Sequence, residues 1–149
     1  MKNLNLYQDE PFSTYEAADI VRLGDHKSQV VAWVHRHLKP FAIDKSHKRK
    51  EIYKLDLVNI FELALIKVLM RHHLKPGDIN RIVNKKQIVE LLESDARNYL
   101  TILGGVPVPF IVNDPLALWA SSTGAASALL VDFKEIERQV MEGIKKVRG

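Results

Sequence analysis

The chain has 149 residues, of which 46% are hydrophobic and 27% are charged, a composition typical of one ordinary globular domain or two small ones. Cysteine is absent, which excludes disulfides, zinc–thiolate sites and thiol chemistry. The formal net charge is +4, and residues 26–50 hold seven lysines and arginines against one acidic residue. Such a concentrated positive charge favours a polyanionic partner over the alternative of a solvated basic loop.

No targeting or membrane segment is evident from the sequence. The first twelve residues lack the apolar core of a signal peptide. No run approaches the roughly 18 apolar residues that cross a bilayer. We therefore expect a cytoplasmic, nucleoid-associated protein with no membrane partner.

Residues 13–40 contain two short helical patterns separated by Gly24. The serine–threonine pair at the start can cap the first helix, with Glu16 placed to complete a capping box. Gly24 suits a left-handed turn, and the second helix is expected to begin directly after it and to end before Pro40.

The second helix has one apolar face and one polar, basic face. Its apolar positions follow helical spacing: Val30, Trp33, Val34 and His37. This spacing places Trp33 in the core rather than against a base. Two helices joined by a glycine turn, the second with a polar and basic outer face, predict a helix-turn-helix whose second helix enters DNA.

Residues 41–53 break the helical pattern. Two short β-compatible runs, 41–43 and 51–53, flank the polar, basic stretch 44–50. This predicts a β-hairpin with a basic tip, a wing.

Helices return after the wing. Asp56 can cap a long helix from Leu57 to about His73, whose wide apolar set predicts burial on more than one side. Pro76 fits the first turn of the next helix. Residues 87–97 form a further amphipathic segment.

The C-terminal half changes character. Residues 98–105 and 108–113 are β-rich and predict paired strands, and 116–121 with 127–132 predict a second pair. Residues 133–147 predict an amphipathic closing helix. The predicted fold class is α+β, with a winged helix-turn-helix domain over 1–84 and a small α+β dimerisation or sensing unit over 85–149. Two apolar helix faces, in 87–97 and 133–147, are the expected dimer contacts.

The N-terminal half, roughly residues 12–84, resembles the MerR-type winged helix-turn-helix regulators. The similarity lies in the alanine pair Ala17-Ala18 before Gly24, in Trp33 with the closing Leu38-Lys39-Pro40, and in Lys50-Glu51-Ile52-Tyr53 before an acidic-capped helix. The resemblance implies double-stranded DNA as partner and a homodimer. Val31 stands where that family usually has a phosphate-holding arginine, and the wing lacks the usual glycine.

Nine residues are the predicted DNA contacts. Gln29 and Lys27 can read base edges, because glutamine pairs with adenine and lysine with guanine. Arg36 and the cations of the wing are expected on phosphate. The full set is Lys27, Ser28, Gln29, Arg36, Lys45, His47, Lys48, Arg49 and Lys50.

Catalysis, metals and cofactors are not expected. Adjacent His72 and His73 point in different directions on a helix, with no carboxylate pair to complete a ligand set. No nucleophile–base arrangement can be assembled, and residues 121–124 lack the spacing of a phosphate-binding loop.

The sequence therefore predicts a sequence-specific transcriptional regulator that binds duplex DNA as a dimer. Two alternatives stay open. One is a phage or plasmid DNA-organising protein, acting in excision, partition or packaging through the same motif. The other is a protein-interaction module, or a toxin–antitoxin type partner, working through the C-terminal β-unit. An effector for that unit is also left open.

Overall fold

The structure, a computed structural model, describes residues 3–24, 27–48, 50–104, 109–121 and 126–149, with the backbone alone for Lys27. Within these residues the chain forms seven helices and five strands. The helices are α1 (Thr14–Ile20), α2 (Lys27–His37), α3 (Leu57–Arg71), α4 (Pro76–Ile82), α5 (Lys85–Glu93), α6 (Pro115–Ser121) and α7 (Phe133–Arg148). The strands are β1 (Ala42–Asp44), β2 (Ile52–Lys54), β3 (Tyr99–Leu103), β4 (Phe110–Val112) and β5 (Ala128–Asp132). The fold is thus mixed α+β, with two small antiparallel sheets.

Helix α3 is the centre of the molecule. Eleven of its fifteen residues are buried, so it is covered on every side along most of its length. It begins with a capping box in which Asp56 accepts from the Asn59 N–H and the Asn59 side chain accepts from the Asp56 N–H. Helices α2, α5 and α7 pack around it.

The predicted elements before α3 are confirmed as elements. Helix α1 begins with the capping box between Ser13 and Glu16, and Gly24 has a left-handed φ of +60°. Strands β1 and β2 pair antiparallel, with Ile43 opposite Tyr53. An antiparallel bridge also joins Phe12, just before α1, to Leu55, the residue that follows β2. The predicted start of α2 at residues 25–26 lies outside the described residues.

The second predicted strand pair of the C-terminal half is wrong. Residues 115–121 form helix α6, because Pro115 occupies a first helical turn and Asp114 accepts from the N–H of Ala117. Strand β5 instead pairs with the free edge of β3, with Leu100 opposite Val131. The resulting sheet has the order β4-β3-β5. The predicted pairing of β3 with β4 is confirmed.

Helix α7 packs against the N-terminal half. It contacts both α1 and α3, and the buried core is one cluster that draws on residues before and after position 85. Arg148 near its end donates to Glu16 (Nε–Oε2 3.0 Å) and lies 4.2 Å from the ring centre of Phe12. The domain boundary near residues 84–98 stays a prediction. Helix α7, which follows that boundary in the sequence, packs against helices that precede it.

The expected dimer contacts are also wrong. Ile88, Leu91 and Leu92 on α5 are at most 2% exposed, and the apolar face of α7 is buried likewise. Both faces are covered by the chain itself, because α3 contacts each of these helices. Neither can accept a second copy without opening the core.

Among the helices that the structure describes, none combines the length and the apolar character needed to cross a membrane.

The contact between α1 and α7 predicts a sharp difference between two glycine-to-alanine variants. A Cβ on Gly143 would lie 2.6 Å from the backbone oxygen of Ile20. Gly143→Ala should therefore lower the free energy of unfolding by about 1–3 kcal/mol in urea denaturation, because backbone atoms must move. A Cβ on Gly77 meets nothing within 4 Å.

Gly77→Ala is the matched control, since it sits in helix α4 with open space around it. It should leave stability unchanged or raise it by up to about 1 kcal/mol, because alanine has less freedom in the unfolded chain. Equal unfolding free energies for the two variants would contradict the close packing of α7 on α1.

Candidate nucleic-acid interface

The outer face of α2 is free of the core. Val30, Trp33 and Val34 are buried, which confirms the prediction that Trp33 belongs to the core. On the opposite face Ser28, Gln29 and Arg36 are exposed, as are Ala32 and His35. Val31 is exposed to 44% on the same outer surface. This face offers small, amide and cationic groups to a partner.

The tip of the β1–β2 hairpin is shaped by Asp44. Its Oδ1 accepts from the backbone N–H (2.9 Å) and the hydroxyl (2.6 Å) of Ser46, and its Oδ2 lies 3.8 Å from Nε2 of His47. The hydrogen bonds from Ser46 lower the pKa of Asp44. The carboxylate therefore fixes the turn, while Lys45 and Lys48 remain exposed.

A cleft joins α2 to the hairpin. It has a volume of about 500 Å³ and runs between the start of α1, the outer face of α2 and strand β2. Tyr15, Ser28 and Val31 line one side. Lys50 and Tyr53 line the other. We call this the wing cleft. It brings one predicted contact of the helix, Ser28, and one of the wing, Lys50, to the same cleft.

The structure places the described predicted contacts at three separate positions. Ser28 and Lys50 line the wing cleft, whereas Gln29 and Arg36 line a different cleft on the other flank of α2. Lys45, His47 and Lys48 are exposed at the hairpin tip. Arg49 and the side chain of Lys27 lie outside the described part of the chain.

A buried polar cluster holds this surface in place. The Asn59 amide donates to the carbonyl of Lys39 (3.0 Å), and its oxygen accepts from the N–H of Phe41 (2.9 Å). These two groups flank Pro40 between α2 and β1. Asn59 also donates to Oε1 of Glu62 at 3.1 Å. The connection between helix and wing is therefore anchored directly to α3.

Glu62 is a carboxyl group inside the protein, with only 3% of its surface exposed. Burial raises the pKa of Glu62 to about 7, and the negative charge of Asp56 adds to the rise. The hydrogen bond from Asn59 and the charge of Lys85 act in the opposite direction. Lys85 lies 3.7 Å from Asp56, so α5 supplies the positive charge nearest to this cluster.

Sequence reasoning missed this cluster. Asn59 and Glu62 were hidden within the apolar run of α3, and the spacing of three residues between Asp56, Asn59 and Glu62 was the available signal. No group of three histidine, aspartate or glutamate side chains with metal-ligand geometry occurs among the described residues.

Comparison with protein-family models finds no matching family, and comparison with the curated proteins finds no matching relative. The likeness to MerR-type regulators over residues 12–84 therefore stays a prediction from the residues themselves.

Because its pKa is raised, Glu62 should contribute more to the stability of the folded state at low pH than at high pH. Because the folded state holds this proton more tightly than the unfolded chain, the contribution is complete below pH 4.5 and is lost as the pH rises to about 7. Glu62→Gln keeps an oxygen for Asn59 and carries no charge. At pH 8 it should be more stable than the native chain by about 3 kcal/mol.

The two proteins should converge in stability towards pH 4.5, as measured by urea unfolding at several pH values. Glu90→Gln, at an exposed position of α5, is the control and should show no such difference. A constant gap between Glu62→Gln and the native chain across this pH range would contradict the assignment.

Proposed function

We propose that this protein is a sequence-specific DNA-binding transcriptional regulator with a winged helix-turn-helix in its N-terminal half. Helix α2 enters the major groove and the β1–β2 hairpin contacts the flanking backbone. The observation that carries the proposal is the wing cleft, since Ser28 and Val31 of α2 line it together with Lys50 of the hairpin. A surface that joins a polar helix face to exposed lysines matches what duplex DNA requires.

The dimensions of α2 support insertion. Its eleven residues span roughly 16 Å at 1.5 Å per residue. The major groove of B-DNA is about 12 Å wide and admits one helix. Because the buried side of α2 rests on α3, the exposed side is presented rigidly. Rigid presentation lowers the entropic cost of forming base contacts.

The residues of this face suggest separate roles. Gln29 can pair bidentately with adenine, and the exposed Val31 can contact a thymine methyl group. Lys45, Lys48 and Lys50 carry charge without a fixed geometry for base edges, so they are suited to phosphate. The proposal thus assigns sequence readout to the helix and backbone grip to the hairpin.

A dimer would place two such helices in successive major grooves. The apolar faces of α5 and α7 are buried and cannot serve this dimer. The C-terminal half offers a different, exposed surface for a second copy. Phe110, Leu116, Trp119 and Leu130 are 36–69% exposed. Asp114 is the one charged residue between positions 99 and 131 in the sequence. Two copies can therefore meet there without charge repulsion.

The competing function is that of a DNA-organising protein that uses the same surface. Both functions need the wing cleft, so the pattern of protected DNA separates them. A footprint on an inverted repeat at a promoter supports regulation. Protection of several spaced repeats away from promoters supports the organising role.

The most direct test is selection of bound sequences from random duplex DNA, with native mass measurement of the selected complex. Regulation by a dimer predicts a two-fold symmetric site holding two chains. Absence of any salt-dependent affinity for duplex DNA would overturn the proposal.

The hairpin cations predict a general loss of affinity when they are removed. Changing Lys45, Lys48 and Lys50 together to alanine should weaken binding to all sequences alike, by about tenfold or more, because phosphate contacts carry no sequence information. The slope of log affinity against log salt should fall by about 0.9 for each phosphate that is no longer neutralised. Fluorescence anisotropy at several salt concentrations measures both quantities.

The matched control removes the same charge elsewhere, by changing Lys86, Lys145 and Lys146, all exposed on α5 and α7, to alanine. This control should lose much less affinity. Equal losses for the two triple variants would mean that net charge alone, and not the hairpin, drives binding.

Removing the side chain of Gln29 on α2 should have a different effect from removing the hairpin lysines. Gln29→Ala should relax the preference at one base pair of the selected site, worth about 1–3 kcal/mol of discrimination, while the salt slope stays unchanged. Competition between the selected site and its single-base variants measures this preference. An unchanged preference at every position would remove Gln29 from the reading face.

A further inference from the structure

A second cleft lies on the flank of α2 that faces away from the hairpin. It has a volume of about 520 Å³ and runs between residues 22–23 after α1, the side of α2, and the C-terminal half of α3. Four cationic side chains line it together with four apolar residues and one amide: Arg22, Arg36, Lys67, Arg71, Leu23, Ala32, Trp33, Met70 and Gln29. We call it the arginine cleft. Of its cations, only Arg36 belongs to the predicted DNA contacts.

The four cations come from three separate elements. Arg22 follows α1, Arg36 lies on α2, and Lys67 and Arg71 lie one turn apart on α3. Lys67 is fixed, because its Nζ donates to the carbonyls of Val21 (2.6 Å) and Arg22 (3.3 Å). Burial lowers the pKa of Lys67, and the positive charges of Arg71 and Arg22 lower it further. Like charges are thus held together by the fold.

This positive charge is compensated only in part. Arg22 lies 3.7 Å from Glu142, whose carboxylate is shared with Arg138 and Lys146 on α7. Within residues 3–24, 27–48, 50–104, 109–121 and 126–149, no hydrogen bond or ion pair engages the guanidinium groups of Arg36 and Arg71. Two planar groups of five N–H donors each therefore face the cleft without a partner there.

The backbone at Arg22 sets the position of this residue at the end of α1. Arg22 has a φ of +59°, a left-handed conformation that favours glycine. A residue with a side chain costs about 1 kcal/mol there. The conformation is held by the bond from the N–H of Leu23 to the carbonyl of Ala18 (2.9 Å). His73 ends α3 in the same way, with a φ of +60°, so this conformation ends α1 and fixes where the side chain of Arg22 leaves the backbone.

We propose that the arginine cleft binds the phosphate group of a phosphate ester. Arg36 and Arg71 act as fork donors to its oxygens, and Arg22 and Lys67 supply fixed positive charge beside them. Guanidinium groups match phosphate geometry bidentately, and the charge-assisted bonds that form are among the stronger ones in proteins. Met70, which is 37% exposed, and the edge of Trp33 can contact an apolar or aromatic part of the ester.

Two sources of this phosphate are consistent with the position of the cleft. One is the DNA backbone on the second edge of the major groove, opposite the strand gripped by the hairpin; this source rests on the proposed function. The other is a free phosphorylated small molecule, which would then couple to α2 through Arg36 and Trp33. The chemistry of the site is the same in both cases.

The test uses the full chain and two probes, inorganic pyrophosphate and adenosine diphosphate, titrated at constant ionic strength. The indole N–H resonance of Trp33 reports on the cleft, and Trp119→Phe identifies it among the two tryptophans. We expect a saturable shift of this resonance. Arg71→Gln should weaken binding by about tenfold or more, because it removes the charge-assisted pair of hydrogen bonds that the Arg71 guanidinium would donate to phosphate.

Arg81→Gln is the matched control, because Arg81 is exposed on α4 outside the cleft and pairs only with Asp78 at 3.8 Å among the described residues. It should leave the titration unchanged. Arg36→Gln repeats the test from α2 in case Arg71→Gln lowers the melting temperature.

Duplex DNA separates the two sources. If Arg71→Gln lowers affinity for all DNA sequences and reduces the salt slope by about 0.9, the cleft holds backbone phosphate. If it weakens pyrophosphate binding and leaves DNA affinity unchanged, the cleft holds a free ligand. The proposal is overturned if Arg71→Gln and Arg81→Gln give the same pyrophosphate binding and the same DNA affinity. A native chain without DNA affinity would refute the proposed function, while the pyrophosphate titration would still decide the cleft.

Discussion

The side chain of Asn59 connects α3 to the segment between α2 and β1, and the arrangement of helix and hairpin in the N-terminal half depends on it. It bonds to Asp56 and Glu62 on its own helix and to the carbonyl of Lys39 and the N–H of Phe41 in the link from α2 to β1. These backbone groups flank Pro40, where no helix can continue and no N–H is offered. Because α3 is buried along most of its length, this single amide fixes helix and hairpin relative to the core. The wing cleft follows from that geometry.

A second set of contacts attaches the last helix, α7, to the start of the first helix, α1. Arg148 binds Glu16 and the carbonyls of Glu10 and Pro11, so the last helix reinforces the capping box that starts the first. The hydrogen bond from Arg148 lowers the pKa of Glu16, which keeps this carboxylate charged and able to cap. The C-terminal helix therefore supports the same surface that Asn59 holds from within. This explains why the apolar face of α7 serves the core and not a second chain.

The sequence predicted the elements of the N-terminal half because their ends carry local signals. The caps at Ser13 and Asp56, the turn at Gly24 and the proline at position 76 each act on residues only a few positions away. Helix α6 was missed because Leu116 to Ser121 is short and apolar, a pattern that fits strand and helix alike. The partner of β5 was missed because strand pairing is decided by distant residues. The exposed face of α2 could be foreseen from periodicity, whereas the arginine cleft could not, since its cations lie at positions 22, 36, 67 and 71.

The positive charge around α2 is concentrated in the two clefts on its flanks. The outer face of α2 holds serine, glutamine, valine and alanine together with Arg36. Lys50 lies on the hairpin flank, and Arg22 and Arg71 lie on the other. In the predicted resemblance to MerR-type regulators, Val31 stands where a helix-borne arginine would hold phosphate. Arg71 and Lys67 on α3 place positive charge near the same helix from another element. In the proposed complex, charge on both flanks would grip the backbone and leave the helix face free for bases, because phosphate contacts orient a protein and base contacts specify its site.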